Sequence, residues 1–171
     1  MNKLIALLTA VTLFTVMVLL SGCGNKGIPP DVKEKLDKYI GYWNTGHFDG
    51  IEKVLCPDYE LLESPGYEPQ KGIKAFEKMI SDMLTRCPDF HLVVEETVYE
   101  KDKLAIIWSI MATNTGPGYI QPTGKVVKGK GISVLHLKDG KIKDEWLANN
   151  DLQWMTQLGF SFVPPKTKNK K

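Results

Sequence analysis

The chain has 171 residues, of which 43% are hydrophobic and 25% are charged, and its formal net charge is +2 at pH 7. This length suffices for one domain with its own core. A charge so close to balance argues against a nucleic-acid partner, which would require a concentrated excess of basic residues. The sequence contains no metal-ligand spacing and no glycine-rich phosphate loop, so we predict neither a metal nor a cofactor.

The N-terminus resembles a bacterial export signal. Lys3 precedes a continuous apolar run that ends at Leu20, and Leu-Ser-Gly-Cys follows in the form of a lipobox. We predict a signal peptide over 1–22, lipidation of Cys23 and a tether over 23–30, with an uncleaved membrane anchor as the alternative. The expected location is the cell envelope: the outer membrane facing the periplasm in a Gram-negative cell, and the exterior of the cell membrane in a Gram-positive one.

The remaining chain is predicted to form one domain, 31–162, followed by a basic tail, 163–171. The tail lysines are expected to be solvated, with contact to anionic lipid as the alternative. Cys56 and Cys87 each precede Pro-Asp and each end a predicted helix. In an oxidising exported compartment they either form a disulfide or remain buried thiols, and the sequence leaves both alternatives open.

Helical periodicity dominates the first half of the domain. A helix is predicted from Asp31, which with Glu34 has the pattern of a capping box, to Trp43. A short helix, a short strand and a Pro/Gly loop at the expected pocket mouth follow. A second long amphipathic helix is predicted to end before Pro88.

From Phe90 onward, the hydrophobic period becomes two. A three-residue loop at 100–102 would pair Val94 with Trp108, and would place Glu96 on the apolar inner face. Asn114 would end that face on the partner strand.

The Asp139-Gly140 dipeptide predicts a two-residue hairpin turn. This register pairs Leu135 with Asp144 and Ser133 with Trp146, so both partners would face inward. A final helix is expected from Asp151, with that residue as its N-cap. Because helices come first and long strands follow without βαβ alternation, we predict an α+β fold with an antiparallel sheet.

The order of several short motifs resembles the SnoaL-like polyketide cyclase (ester cyclase) family of the nuclear transport factor 2-like superfamily, over about Lys33 to Phe160. These motifs are Cys87-Pro88-Asp89, Thr115-Gly116, Pro122-Thr123-Gly124-Lys125, Asp139 to Ile142, Trp146, Asn150-Asp151 and Gln157-Leu158-Gly159. The resemblance implies a curved sheet that wraps around helices to form a cone with one pocket. It also implies intramolecular aldol chemistry without a cofactor, in which a carboxylate removes a proton α to a carbonyl.

The two positions at which the family carries its acid–base residues match Asn114 and Asn150 here. An amide cannot take a proton near neutral pH, so a base would have to come from elsewhere. The candidate catalytic acids are Asp144, Glu96 and Asp151, each with a purely structural role as the alternative. The expected pocket residues are Trp43, Trp108, Asn114, Trp146 and Asn150.

Three hypotheses follow. The first is an enzyme, a cyclase or isomerase acting on a small apolar carbonyl compound. The second is a lipid-anchored protein that binds an apolar ligand without catalysis. The third is a homodimer formed through the outer face of the sheet, with contacts from Val93, Ile107, Val134 and Leu147.

Overall fold

The computed structural model describes residues 27–63 and 68–163. The predicted signal peptide, the lipidation of Cys23 and nearly all of the predicted tail lie outside these ranges. No helix in the described ranges is long and apolar enough to span a bilayer.

Within these ranges the structure has four helices and six strands. The helices are α1 (Pro30–Thr45), α2 (Ile51–Val54), α3 (Ile73–Arg86) and α4 (Asp151–Leu158). The strands are β1 (Leu55–Leu62), β2 (Gln70–Lys71), β3 (His91–Glu100), β4 (Lys103–Thr113), β5 (Val126–Lys138) and β6 (Lys141–Ala148).

The strands form one curved, unclosed sheet in the order β2-β1-β6-β5-β4-β3. The predicted α+β class is confirmed. All neighbouring strands are antiparallel except β1 and β6, which run parallel. The prediction of an entirely antiparallel sheet is therefore wrong at this pair. These two strands are distant in sequence, so no hairpin constrains their relative direction.

The helices bury their apolar stripes against the inner face of the sheet. Phe76 of α3 is fully buried and lies at the centre of an aromatic cluster. Its ring centroid lies 5.4 Å from that of Tyr39, 5.3 Å from that of Tyr59 and 5.8 Å from that of Trp43. This cluster fixes α1, α3 and β1 relative to one another, because well-packed aromatic pairs bury large areas in specific geometries.

Helix α1 begins differently from the prediction. Pro29 is its N-cap residue, Pro30 is the first helical residue, and no side chain caps the free amides. Asp31 therefore lies in the first turn rather than at the cap. The fixed φ of proline suits the first helical position. Proline also has no backbone N–H group, so no capping side chain is needed there to accept a hydrogen bond.

The β5–β6 hairpin has the predicted turn but not the predicted register. Asp139 and Gly140 both have positive φ, and Leu137 pairs with Ile142. Beyond that pair, Lys143 is an extra residue, and the register shifts so that His136 pairs with Asp144 and Leu135 with Glu145. A one-residue bulge reverses which side chains face inward. The predicted pairs of Leu135 with Asp144 and Ser133 with Trp146 are therefore wrong.

The β3–β4 hairpin contains a second bulge. Its loop has two residues, with Lys101 at φ 56°, so that Tyr99 pairs with Leu104. An extra residue at Glu95 then restores the predicted pair of Val94 with Trp108. The predicted three-residue loop is wrong, while the register beyond the bulge is correct.

Candidate active site

A cavity of about 1050 Å³ lies between the helices and the inner face of the sheet. Its lining is largely apolar and includes Trp43 and Trp108, two of the predicted pocket tryptophans. Asn114, Asn150 and Asp151 also line it. Cavities of this size, apolar with a few converging polar groups, are the usual form of small-molecule sites.

A carboxylate that the sequence analysis did not select lies at the wall of this cavity. Glu145 is only 2% exposed and follows the bulge of β6. In the sheet it is flanked by Leu61 of β1 and Leu135 of β5. Burying an acidic side chain in such an apolar row costs free energy unless the side chain is hydrogen-bonded. The hydrogen-bond partners of Glu145 therefore determine its protonation state.

Two buried tyrosines bind this carboxylate. The hydroxyl of Tyr39, from α1, donates to Oε2 of Glu145. The hydroxyl of Tyr59, from β1, lies 3.2 Å from the same oxygen and 2.8 Å from the hydroxyl of Tyr39. Both tyrosines are fully buried. The triangle of oxygen atoms joins α1, β1 and β6 at one point.

Ser133 is fully buried and holds the indole of Trp108. The indole Nε1 of Trp108 donates to Oγ of Ser133 at 2.9 Å, and both residues line the cavity. Trp108 can lie flat against β5 because Gly131 is its cross-strand partner. A Cβ atom on Gly131 would approach Cζ2 of Trp108 to 2.2 Å.

Burial raises the pKa of Glu145, and the hydrogen bonds from Ser133, Tyr39 and Tyr59 oppose this rise. Burial also raises the pKa of each tyrosine well above its usual value, so both hydroxyls stay protonated donors. A carboxyl whose pKa is raised toward neutrality is suited to general acid–base chemistry.

Glu63 is a second carboxylate on the cavity lining, at the end of β1. Burial raises the pKa of Glu63, and the negative charge of Asp151 raises it further. The cavity lining therefore includes four acidic residues, Glu63, Asp82, Glu145 and Asp151.

Asp144 and Trp146 do not face the cavity as predicted. Trp146 is 56% exposed on the outer face of the sheet, and Oδ1 of Asp144 lies 2.6 Å from Nδ1 of His136. Both residues border a shallow outer hollow. The Lys143 bulge causes this difference, because one extra residue moves every later side chain of β6 to the opposite face of the sheet.

Glu96 also lies on the outer face. It pairs with Ile107 and is exposed, because the Glu95 bulge and the shorter loop reverse the predicted alternation. Leu147, expected on the outer face, pairs with Ser133 and lines the cavity instead. The roles proposed for Glu96 and Asp144 as buried acids therefore have no support from their positions.

The two asparagines have structural hydrogen bonds. Oδ1 of Asn114 accepts from the amide of Thr123 at 2.8 Å, which orders the connection between β4 and β5. Asn150 is the N-cap of α4, and its Oδ1 accepts from the amide of Gln153 at 3.0 Å. Asp151 is the first helical residue, so the prediction that Asp151 caps this helix is wrong by one position.

Cys56 and Cys87 are free and buried in the structure, which corresponds to the alternative of two thiols rather than a disulfide. Burial raises the pKa of both thiols, so neither is an activated nucleophile. Within residues 27–63 and 68–163, no three His, Cys, Asp or Glu side chains are grouped to hold a metal ion.

One signal in the sequence does point to the missed site. Tyr39 lies on the buried stripe of α1, and a buried tyrosine hydroxyl usually requires a polar partner. This pattern predicts a polar partner for Tyr39, and either Asp144 or Glu145 of β6 could supply it.

Comparison with known proteins agrees with the fold. Residues 33–158 match the family model described as SnoaL-like polyketide cyclase. No protein of curated function matches the sequence.

Solved structures are similar over most of this chain. TsrD from Streptomyces laurentii has 22% identity and a TM-score of 0.68, over 77% of this chain and 98% of TsrD. A SnoaL-like protein from Jannaschia sp. CCS1 has 19% identity and a TM-score of 0.69, over 84% of this chain and 100% of that protein. AclR from Streptomyces galilaeus has 26% identity and a TM-score of 0.65, over 78% of this chain and 85% of AclR.

Proposed function

The chain belongs to the SnoaL-like polyketide cyclase family, and we propose that it is a cofactor-independent cyclase or isomerase acting on an apolar carbonyl compound. The observation that carries this proposal is the buried Glu145 carboxylate, which lies on the wall of a large apolar cavity and is bound by Tyr39 and Tyr59. Family membership supports the reaction class, and the position of Glu145 supports the assignment of the base.

In the proposed reaction, Glu145 removes the proton α to a substrate carbonyl. The enolate carbon then forms a bond to a second carbonyl carbon of the same molecule, and the resulting alkoxide takes the proton back from Glu145. Tyr39 and Tyr59 hold the carboxylate in place throughout. The product has the same atoms as the substrate, so no oxidant, reductant or cofactor is needed.

Proton abstraction can be tested without knowing the final product. Polycyclic aromatic ketones would be incubated with the protein in D₂O, and deuterium at the α-carbon would be measured by NMR. We expect exchange that falls at least about 100-fold in Glu145→Gln. The matched control Asp144→Asn removes the neighbouring acid on the opposite face and should keep full activity. Exchange that survives in Glu145→Gln, or is never observed, would exclude Glu145 as the base.

A second candidate is binding of an apolar ligand without catalysis. Its support is that Asn114 and Asn150, which occupy the family's acid–base positions, both make structural hydrogen bonds. This function predicts saturable binding that is unchanged in Glu145→Gln, with no α-exchange in the wild-type protein.

We further propose that the protein is anchored at the cell envelope by a lipid on Cys23. The Leu-Ser-Gly-Cys sequence after an apolar run supports this location. Mass spectrometry of the mature protein from the membrane fraction should show a lipid-modified N-terminal cysteine. The Cys23→Ser variant should remain unprocessed and lack the lipid mass.

Self-association through the outer sheet face is also proposed. Val98, Ala105, Val134 and Trp146 form one in-register row across four strands. Val98 and Trp146 are 59% and 56% exposed. A two-fold axis would bring this row against the same row of a second copy.

Sedimentation tests this interface. The wild-type domain should sediment as a dimer, and the Trp146→Lys variant as a monomer with unchanged fold. A wild-type domain that stays monomeric at high concentration would remove the proposal.

A further inference from the structure

A cation at the rim of the same cavity is held in place without a carboxylate partner. Arg86 ends α3 and lines the cavity to which Glu145 also contributes. We infer that Arg86 binds an anionic group, a carboxylate in the first instance, on the compound that occupies the cavity. This inference rests on the proposed function in that the cavity is taken as the substrate site, and it narrows the substrate to an apolar carbonyl compound that also carries an acid group.

The connection between β4 and β5 holds the Arg86 side chain. The guanidinium Cζ lies 4.4 Å from the centroid of the Tyr119 ring, which is a cation–π contact. The amides of Thr115 and Gly116 donate to the Arg86 carbonyl at 3.1 and 2.9 Å. Gly118 packs directly on the stem, where a Cβ atom would lie 2.4 Å from Cγ and Cδ. The guanidinium is therefore positioned in advance of binding.

The charge of Arg86 is not neutralised by the protein in the part of the chain that the structure describes. None of the ion pairs within 4.0 Å there includes this residue, and its side-chain contact is to Sδ of Met83 at 3.6 Å. A sulfur atom and a ring face leave most of the five N–H donors of a guanidinium without acceptors. Arg86 is half-buried, so an anion that reaches it is bound in a partly desolvated position.

Another cavity-lining cation shows the contrast. Lys78, two turns earlier on α3, also borders the cavity, but its Nζ lies 2.6 Å from the Asp82 carboxylate. Its charge is thus balanced within the protein. Arg86 offers an unbalanced charge with a planar geometry that suits a carboxylate with two parallel hydrogen bonds.

The residues that line the cavity between Arg86 and Glu145 indicate the chemical character of the middle part of the ligand. Ile106, Trp108 and Ile110 of β4 contribute apolar surface to the cavity. A flat apolar body with a carbonyl group toward Glu145 and an acid group toward Arg86 matches this distribution. The acid group supplies binding and orientation, and the reacting carbonyl remains at the buried carboxylate.

The test compares two fluorescent probes that differ in charge, anthracene-2-carboxylate and 2-(hydroxymethyl)anthracene, by equilibrium titration at pH 7.5. The wild-type protein should bind the carboxylate at least about tenfold more tightly than the alcohol. Arg86→Met keeps an apolar stem and should remove this preference, while Arg86→Lys should retain part of it. The matched control Lys78→Met should leave the preference unchanged.

Glu145→Gln separates this inference from the proposed function, because it should lose α-exchange and keep the preference for the carboxylate. Equal binding of the two probes by the wild-type protein, no binding of the carboxylate, or a preference that persists in Arg86→Met would each overturn the inference. None of these results would alter the α-exchange test of Glu145.

Discussion

Asp144 and Glu145 are consecutive residues whose carboxylates lie on opposite faces of the sheet. Asp144 hydrogen-bonds His136 at 2.6 Å on the outer face, whereas Glu145 is buried among Tyr39, Tyr59 and Ser133. Because strands alternate their side chains, the Lys143 bulge determines which of the two acids enters the cavity. Substitution of each acid in turn therefore compares a buried and an exposed carboxylate at one place in the chain.

The pH dependence of stability should report the buried acid. The pKa of Glu145 is raised in the folded protein, so the unfolded chain loses this proton first as the pH rises above about 4.3. Glu145 therefore contributes its full stabilisation of the folded protein below about pH 4.3. As the pH rises from there to the pKa of Glu145 in the folded protein, this contribution falls by at most about 1.4 kcal/mol per pH unit. Urea denaturation from pH 4 to 8 should show this decline in the wild-type protein and a flatter profile in Glu145→Gln.

The hydroxyl of Tyr59, which bonds the buried Glu145 carboxylate, should contribute more to stability than the hydroxyl of Tyr42, which bonds a backbone carbonyl. Tyr59→Phe removes a buried donor to Glu145 and should lower the free energy of unfolding by about 1–3 kcal/mol. Tyr42→Phe is the matched control, since its hydroxyl makes a 3.3 Å bond to the Asp49 carbonyl and should cost about 1 kcal/mol or less. Thermal or urea denaturation of the two variants measures the difference, and equal losses would contradict a special role for the carboxylate.

Gly131 should be intolerant of a side chain. Alanine there would place its Cβ 2.2 Å from Cζ2 of Trp108 and 2.7 Å from the Ala148 carbonyl oxygen. We expect Gly131→Ala to destabilise the protein by about 1–3 kcal/mol and to move the indole away from Ser133. Gly129→Ala, where the nearest atom is Cγ1 of Ile110 at 3.3 Å, should cost less. Tryptophan fluorescence and denaturation would detect both effects.

Asn114 should stabilise the β4–β5 connection through its side-chain oxygen. Asn114→Ala removes this acceptor, while the Thr123 amide keeps the backbone carbonyl of Asn114 at 3.1 Å, so the free energy of unfolding should fall by about 1 kcal/mol. Asn114→Asp keeps this acceptor for the Thr123 amide, although it buries a carboxylate at a position that is only 3% exposed. Hydrogen exchange at the Thr123 amide is the direct measurement, with faster exchange expected in the alanine variant alone.

The class of fold was predictable because helices precede strands and the hydrophobic period changes from 3.6 to 2 near Phe90. The turn at Asp139-Gly140 was predictable for a similar reason, since that dipeptide favours positive φ at both positions. These features depend on local sequence, and the structure confirms them.

The identity of the buried acid was not predictable from the same patterns. Bulges at Glu95 and Lys143 have no strong sequence signal, yet each reverses the inward and outward residues of its strand. The predicted register places Trp146 on the inner face of β6, but Trp146 lies on the outer face. Glu145 is buried because distant tyrosines from α1 and β1 supply its hydrogen bonds, which is a tertiary effect.

The parallel pairing of β1 with β6 has a consequence for the order of folding. Tyr59 and Glu145 are 86 residues apart in sequence, and Tyr39 and Glu145 are 106 apart. Closing such long segments costs chain entropy before any contact is gained, so these pairings form late and slowly. A chain emerging in order from its N-terminus completes Tyr39 and Tyr59 long before the β5–β6 hairpin exists. The site therefore assembles only when the last hairpin docks, and burial of Trp108 against Ser133 during refolding should lag behind the formation of the helices.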